Sequence, residues 1–281
     1  MIPYDTSADA LLHPDPTESP LRAEGSYTIE QLGAEFSRLA YVRFETGSNE
    51  HQRLEGFLAA AGFTKSSMFN ADDSGTRGYG AYSPTSRIAV VAFRGTQPEN
   101  LKNLVTNAGI FPTAWEGGGY VHGGFAAAAL SVEPQVRNFI ETFAPVTSTL
   151  VLCGHSLGGA IANLLGSVFR PADLVTIGCP RVGNSAFAST LSTVQCHRYR
   201  NCCDVIVELI PPSPWYEHVG DAIYIDRLGA VQRNMSWPMI VRDQMTARAR
   251  YGIDFKLGPG SILVRDAADH APINYVRALL G

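Results

Sequence analysis

Apolar residues recur at helical spacing in several segments of the chain. The clearest segment follows Thr28, whose hydroxyl can cap a helix, and places Leu32, Phe36 and Leu39 on one face. This pattern predicts an amphipathic helix over residues 28–44. The same reasoning predicts helices over residues 50–61, 124–143, 157–169, 184–191, 235–250 and 266–279.

Short apolar runs of strand length lie between these helices. They predict strands at residues 77–83, 87–93, 149–153, 174–177, 195–200 and 221–226. Strands that alternate with helices are typical of an α/β protein with a mostly parallel sheet covered on both faces. No repeat or linker interrupts the pattern, so we predict one domain over residues 1–281, with an irregular, proline-rich arm at residues 1–25.

Composition excludes several classes of partner. Among 281 residues 45% are hydrophobic and 17% are charged, with a net charge of −4 and no basic stripe, so we do not expect nucleic acid to bind. No apolar run approaches the about 18 residues that a transmembrane helix needs. The N-terminus does not resemble a signal peptide, and the five cysteines are an odd number without a C-x-x-C pair. These features favour a cytoplasmic location. If a signal peptide has been removed from the sequence, we expect the protein to be secreted.

The residues Gly154 to Gly158 match the pattern G-x-S-x-G, in which Ser156 would be a nucleophile. The pattern alone is weak, because a glycine-rich turn with an idle serine also fits it. Its context is stronger, since a strand-like run ends directly before it and a helical pattern starts at residue 157. Such a turn exposes the serine oxygen and points the N-terminus of a helix at it, which favours developing negative charge.

A serine nucleophile also needs an oxyanion hole, an orienting acid and a base. The backbone N–H of Leu157 is the expected first donor, and Thr96, directly after the strand at 87–93, is a candidate for the second. Thr96 could equally be an ordinary turn residue. The downstream candidates for the acid and the base are Asp204, Asp221, Asp226, His197, His218 and His270. Residue types alone leave the choice among them open.

Several short motifs along the chain resemble those of the class 3 lipase family. The motifs are Phe93-Arg94-Gly95-Thr96, Val121-His122-Gly123-Gly124-Phe125, Gly154-His155-Ser156-Leu157-Gly158-Gly159, Asn201-Cys202-Cys203-Asp204, Pro211-Pro212, Tyr216-x-His218-Val219-Gly220 and Asp269-His270 with Tyr275. The resemblance spans residues 30–280 and implies an α/β-hydrolase fold with a mostly parallel central sheet, helices on both faces and a short lid helix.

The resemblance also implies the roles of the candidate residues. Ser156, Asp204 and His270 would form the catalytic triad, with Thr96 and Leu157 as the oxyanion hole. His218 would then be structural, as we also expect for His122 and His155. The chemistry implied needs neither a metal nor a cofactor. Two departures from the family stand out: Val207 and Ile210 replace prolines, and residues 227–265 are expected to fold differently and are a candidate for an additional flap.

The lid implied by the family would begin after Thr96, over residues 98–105. Leu101, Leu104 and Val105 recur there at helical spacing and form an apolar stripe, although an ordinary surface helix has the same pattern. An opened lid would make transient contact with a lipid surface.

The predicted activity is that of a carboxylic ester hydrolase, with a triacylglycerol lipase favoured. An esterase or a phospholipase on the same scaffold is the alternative, and a catalytically silent binding protein is a third reading. The expected partner is a lipid or another small ester, and the sequence makes no prediction of the oligomeric state.

Overall fold

The computed structural model of the protein describes residues 2–96 and 111–281. The predicted lid residues Leu101, Leu104 and Val105 lie outside the described residues, so the lid stays a prediction.

An eight-stranded sheet forms the centre of the molecule, and a separate two-stranded ribbon lies beside it. The strands are β1 (Lys65–Ala71), β2 (Thr76–Ser83), β3 (Ile88–Phe93), β4 (Pro112–Ala114), β5 (Tyr120–His122), β6 (Thr149–His155), β7 (Asp173–Ile177), β8 (Gln195–Asn201), β9 (Ala222–Ile225) and β10 (Val231–Gln232). The sheet order is β1-β2-β3-β6-β7-β8-β9-β10, and β3, β6, β7, β8 and β9 pair in parallel. The outer strands β1, β2 and β10 are antiparallel.

Helices cover both faces of this sheet. They are α1 (Ala8–Leu12), α2 (Ile29–Leu39), α3 (Ser48–Ala60), α4 (Gly123–Phe143), α5 (Leu157–Phe169), α6 (Ser185–Ser189), α7 (Trp237–Asp254), α8 (Arg265–Ala268) and α9 (Pro272–Leu280). Successive residues of a strand point to opposite faces, so Val90 packs with the core beneath α2 and α3, whereas Val91 packs with α4 and α5. The predicted fold class, a mostly parallel sheet between helices, is therefore confirmed.

The six predicted strands are present, but β1 was not predicted. Its residues alternate between exposed and partly buried positions, and serine, lysine and asparagine supply much of its sequence. A strand at the edge of a sheet needs few apolar residues, so its hydrophobic signal is weak.

The last predicted helix differs from the structure in a way that affects the site. The helix predicted at 266–279 is two helices, α8 and α9, which are separated by residues 269–271. The break lies before Pro272, because a proline disfavours helical backbone in the residue that precedes it. The helix predicted at 235–250 continues to Asp254 as α7.

The N-terminal arm is not wholly irregular as expected, because it contains the short helix α1. The arm lies against the end of the chain. Asn274 donates from Nδ2 to the carbonyl oxygen of Asp5 at 2.8 Å, and Tyr4 donates its hydroxyl to Asp269 at 2.7 Å. Leu21 is fully buried in the core beneath α2.

All five cysteines carry free thiols. Cys153 lies on β6 inside the core, where burial raises its pKa to about 12. It is a small apolar core residue, as the run of hydrophobic neighbours predicted.

No helix among the described residues has both the length and the apolar character required to span a bilayer.

Candidate active site

Ser156 occupies a sharp turn between β6 and α5. Its backbone has a φ of +57° and a ψ of −125°, a conformation that L-residues seldom adopt. The N–H of Ser156 donates to the carbonyl oxygen of Ile177 at 3.0 Å, which helps to hold the strained turn. Strand, strained serine and helix follow one another as the G-x-S-x-G pattern predicted.

Glycines on either side of Ser156 allow the turn to close. A Cβ on Gly154 would lie 2.2 Å from the carbonyl carbon of Gly158, and one on Gly158 would lie 2.1 Å from the carbonyl oxygen of Phe93. Both contacts are with backbone atoms, which cannot rotate away. The two glycines are therefore required by the packing of the turn against the end of β3.

Because there is no space for a side chain at Gly158, a substitution there should destabilise the protein. We expect Gly158→Ala to lower the free energy of unfolding by about 3 kcal/mol, because the new Cβ overpacks a backbone contact. Gly56→Ala is the matched control, since nothing lies within 4 Å of that Cβ in α3. Removing a glycine from a helix should raise the stability by about 1 kcal/mol. Urea denaturation measures both values, and similar changes in the two variants would contradict the steric argument.

Ser156, His270 and Asp204 lie together at the carboxyl ends of the parallel strands. Nε2 of His270 is 3.1 Å from Oγ of Ser156, and Nδ1 of His270 is 2.9 Å from Oδ2 of Asp204. All three side chains are buried. The carboxylate accepts the Nδ1 proton, so the neutral imidazole leaves Nε2 free to accept a proton from the serine hydroxyl. This arrangement can activate an oxygen nucleophile.

Asp204 is itself held by neighbouring donors. Its Oδ2 accepts the hydroxyl of Tyr275 at 2.5 Å, and its Oδ1 accepts the backbone N–H of Ile206 at 2.8 Å. Gly178 has a φ of +61° and lies so close that a Cβ there would be 2.9 Å from Oδ2. The carboxylate is therefore fixed in orientation before it meets the imidazole.

His155 braces the segment that carries His270. Its Nε2 lies 2.8 Å from the carbonyl oxygen of His270, so Nε2 carries the proton, and Nδ1 accepts the hydroxyl of Tyr41 at 2.7 Å. Burial holds the pKa of His155 well below its ordinary value, which keeps the ring neutral. Tyr41 was not identified in the sequence, because it lies 114 residues from His155 and belongs to no local motif.

A second set of contacts fixes Asp269, the residue before His270. Asp269 pairs with Arg265 at 3.1 Å and accepts the backbone N–H of Cys203 at 2.9 Å. Burial raises the pKa of Asp269, and the guanidinium of Arg265 opposes that shift. Neither Arg265 nor Tyr4 of the arm carries a sequence signal for this role, since both contacts depend on tertiary structure.

The other candidate histidines and acids lie elsewhere. His197 is 2.9 Å from Asp173, at the far end of the sheet, and Asp226 accepts backbone N–H groups in the turn after β9. Asp221 is exposed. Burial and, to a smaller degree, the charges of Arg198, Arg181 and Arg200 lower the pKa of His218 to about 2.

The predicted oxyanion donors border the same space. Leu157 is the first residue of α5, so its N–H has no acceptor within the helix. Gly95 lies against the turn, since a Cβ added to it would be 3.0 Å from Cβ of Ser156. Thr96 follows Gly95 directly. The participation of Thr96 and Leu157 in an oxyanion hole remains a prediction.

One group of potential metal ligands occurs among the described residues. One ligand atom each of Cys202, Cys203 and Asp269 lies within 4.8 Å of the other two. Asp269 is already bonded to Arg265 and to Tyr4. The hydrogen bond between Cys202 and Cys203, together with burial, raises the pKa of the Cys202 thiol far above its ordinary value. The group is therefore poorly suited to a cation.

Comparison with known sequences identifies related proteins. The family described as Lipase (class 3) matches residues 90–213. The secreted mono- and diacylglycerol lipase 1 of Fusarium solani is 32% identical over 162 residues, which cover 53% of this chain and 48% of that protein. The chloroplastic phospholipase A(1) DAD1 of Arabidopsis thaliana is 29% identical over 150 residues, which cover 44% of this chain and 34% of that protein. The chain thus spans about half or less of the length of these relatives.

Solved structures show a similar architecture. The triacylglyceride lipase of Rhizomucor miehei has a TM-score of 0.50 at 25% identity, over 57% of this chain and 65% of that one. The lipase of Rhizopus microsporus var. chinensis has a TM-score of 0.56 at 23% identity, over 80% of this chain and 83% of that one, and shows the likeness of fold.

The central sheet and the strained turn at Ser156 define a protein of the α/β-hydrolase class. The family match and the fungal relatives allow a narrower statement for part of the chain. Residues 90–213 match the class 3 lipase family, which confirms the resemblance found in the motifs.

Proposed function

We propose that this protein hydrolyses carboxylic esters of glycerol, triacylglycerols included, with Ser156 as nucleophile, His270 as general base and Asp204 as the orienting acid. The observation that carries the proposal is the pair of short contacts that His270 makes, 3.1 Å to Ser156 and 2.9 Å to Asp204. The named activity of the Fusarium solani relative supports an acylglycerol as substrate.

The reaction would proceed through an acyl-enzyme. His270 accepts the proton of the Ser156 hydroxyl as Oγ bonds to the ester carbonyl carbon, and Asp204 stabilises the imidazolium that forms. The negative charge on the carbonyl oxygen is stabilised by the N–H of Leu157 and by Thr96. The bond to the leaving alcohol then breaks, and the alcohol oxygen takes the proton from His270.

Water completes the cycle. It gives a proton to His270 while its oxygen attacks the acyl carbon, and the proton returns to Oγ of Ser156 as the fatty acid leaves. No step requires a metal or a redox cofactor, because serine, imidazole and backbone donors supply the whole reaction.

A substrate series tests the proposal. We expect the purified chain to hydrolyse emulsified tri-, di- and monoacylglycerols, and to prefer long over short acyl chains among p-nitrophenyl esters. Fatty-acid release by titration and p-nitrophenolate absorbance measure the two rates. Activity confined to short soluble esters would replace the acylglycerol assignment with an esterase.

The Arabidopsis thaliana relative motivates a second candidate, a phospholipase. Phosphatidylcholine in the same titration distinguishes it. Fatty-acid release from phosphatidylcholine at a rate above that from every acylglycerol would favour the phospholipase.

A further inference from the structure

Helix α7 lies outside the segment that matches the family, and one of its faces anchors it to the protein. Its 18 residues follow β10, whereas the family match ends at residue 213. Gln244 donates from Nε2 to the carbonyl oxygen of Cys202 at 2.7 Å, and Ala247 packs in a small core with Cys203 and Tyr224. Since Gln244, Ala247 and Tyr251 are its buried residues, the direction that α7 presents to solvent is defined.

The opposite face of α7 exposes large apolar side chains. Met239, Met245 and Ile253 have 56%, 65% and 72% of their surface exposed. Met239, Arg242 and Ile253 recur three and eleven residues apart and so lie on one side of the helix. Large apolar side chains exposed on one side of a helix indicate a binding surface, because such residues are normally buried or scattered.

The same part of the chain is basic in an otherwise acidic protein. Residues 226–256 contain six Arg or Lys and three Asp, a net charge of +3, whereas the whole chain carries −4. Four of the six cations are paired with acids: Arg227 with Asp243, Arg233 with Glu30, Arg248 with Asp266 and Arg250 with Asp254. Arg242 forms no salt bridge with any residue in the two described ranges, so its charge is available to an external anion.

We propose that this surface, the α7 docking face formed by Met239, Arg242, Met245 and Ile253, binds the surface of an anionic phospholipid bilayer. Arginine beside exposed apolar side chains on a helix is the pattern that lies in the interface of a negatively charged membrane.

The position of α7 relates the docking face to the candidate active site. Arg248 pairs with Asp266 of α8 at 2.7 Å, and the carbonyl oxygen of Asp266 accepts the N–H of Val205, which follows Asp204. Val205, Leu263 and Val264, in the segments that these contacts join, are also exposed. If the proposed function holds, docking holds at the lipid the helix that packs against Cys202 and Cys203, the residues before Asp204; binding itself does not require catalysis.

Vesicle co-sedimentation tests the docking face. The Ser156→Ala chain is mixed with vesicles of phosphatidylcholine alone or of phosphatidylcholine with phosphatidylserine, so that lipid hydrolysis does not alter the vesicles. We expect binding only to the phosphatidylserine vesicles, and a loss of that binding as salt is added. Arg242→Glu changes the charge by two and should weaken binding about 30-fold, and Met239→Ser about tenfold.

Matched substitutions elsewhere are the controls. Arg43→Glu has the same change of charge at another exposed arginine, and Leu130→Ser removes an exposed apolar side chain from α4. Both should bind vesicles like the parent, and Arg242→Glu with Ser156 intact should keep the parent's rate on a soluble ester.

Three results would overturn the proposal. They are equal binding to both kinds of vesicle, an equal loss in Arg43→Glu, and binding to polyglutamate but not to vesicles, which would indicate an acidic protein as the partner. A chain that binds vesicles but hydrolyses no ester would reject the proposed function and leave the docking face standing.

Discussion

Replacing Ser156 with alanine is expected to abolish ester hydrolysis and leave the protein folded. The hydroxyl is the only atom group removed, and without it no acyl-enzyme forms, so we expect kcat/KM to fall by about 10⁴-fold or more. The side chain also makes no contribution to the core that an alanine methyl cannot replace. Initial rates on a p-nitrophenyl ester, with circular dichroism to verify folding, measure the effect.

A second serine is the control for this substitution. Ser189→Ala removes an exposed hydroxyl at the end of α6 and should change the rate less than twofold. A fluorophosphonate should add its mass to the parent and to Ser189→Ala, but not to Ser156→Ala. Activity or labelling that survives in Ser156→Ala would show that another residue is the nucleophile, and a parent that neither reacts nor labels would indicate a silent binding protein.

The second large effect is expected at His270. His270→Ala removes the group that lies between Ser156 and Asp204, so the hydroxyl loses its proton acceptor. We expect kcat/KM to fall by about 10⁴-fold or more. Added imidazole should restore part of the activity, because a small base can enter the space that the side chain leaves. Rescue by imidazole separates loss of the base from loss of structure.

His218→Ala is the matched histidine control and tests the alternative that the sequence left open. Burial and, to a smaller degree, the charges of three nearby arginines lower the pKa of His218 to about 2, which makes it a poor base near neutral pH. Its substitution should change kcat/KM only a few-fold. The opposite result, a large loss at His218 and a small one at His270, would reverse the assignment.

The central strands could be predicted because strands buried on both faces are continuous apolar runs. Residues 87–93 and 149–153 are such runs, and the structure places them as neighbours, β3 and β6. The edge strand β1 has no comparable run, because only one side of it packs against the protein. Pro272 alone would have predicted the helix boundary before it. The apolar residues on either side continue at helical spacing, so the sequence analysis predicted one helix across the boundary.

The turn at Ser156 is formed by residues that are close together in the sequence, which explains why the strand, turn and helix could be predicted. Gly154, Ser156 and Gly158 stand within five residues, and their spacing carries the steric requirement directly. The contact between His270 and Asp204 joins residues 66 positions apart, and no spacing rule selects it from the alternatives. Only the family resemblance pointed to this pair. Neither a local spacing pattern nor the family resemblance pointed to Tyr41 or Arg265.

Helix α7 was predicted as a helix, but its outward face was not. Apolar residues occur on both sides of it, so the pattern alone does not show which side is buried. The contacts of Gln244 and Ala247 with the Cys202–Cys203 region settle the direction. The candidate flap over residues 227–265 thus contains β10 and helix α7, and α7 packs beside the segment that precedes Asp204.

The contact between the arm and Asp269 connects the start of the chain to the candidate active site. Tyr4 and Asp5 bond to Asp269 and Asn274, which lie on either side of His270 in sequence. Whatever detaches the arm, such as a protease cut after α1 or a fused tag that displaces Tyr4, removes those bonds and leaves the three proposed catalytic residues in place. By linkage, a ligand that requires a well-placed His270 would in turn hold the arm down, so protection of the arm from proteolysis would report occupancy of the site.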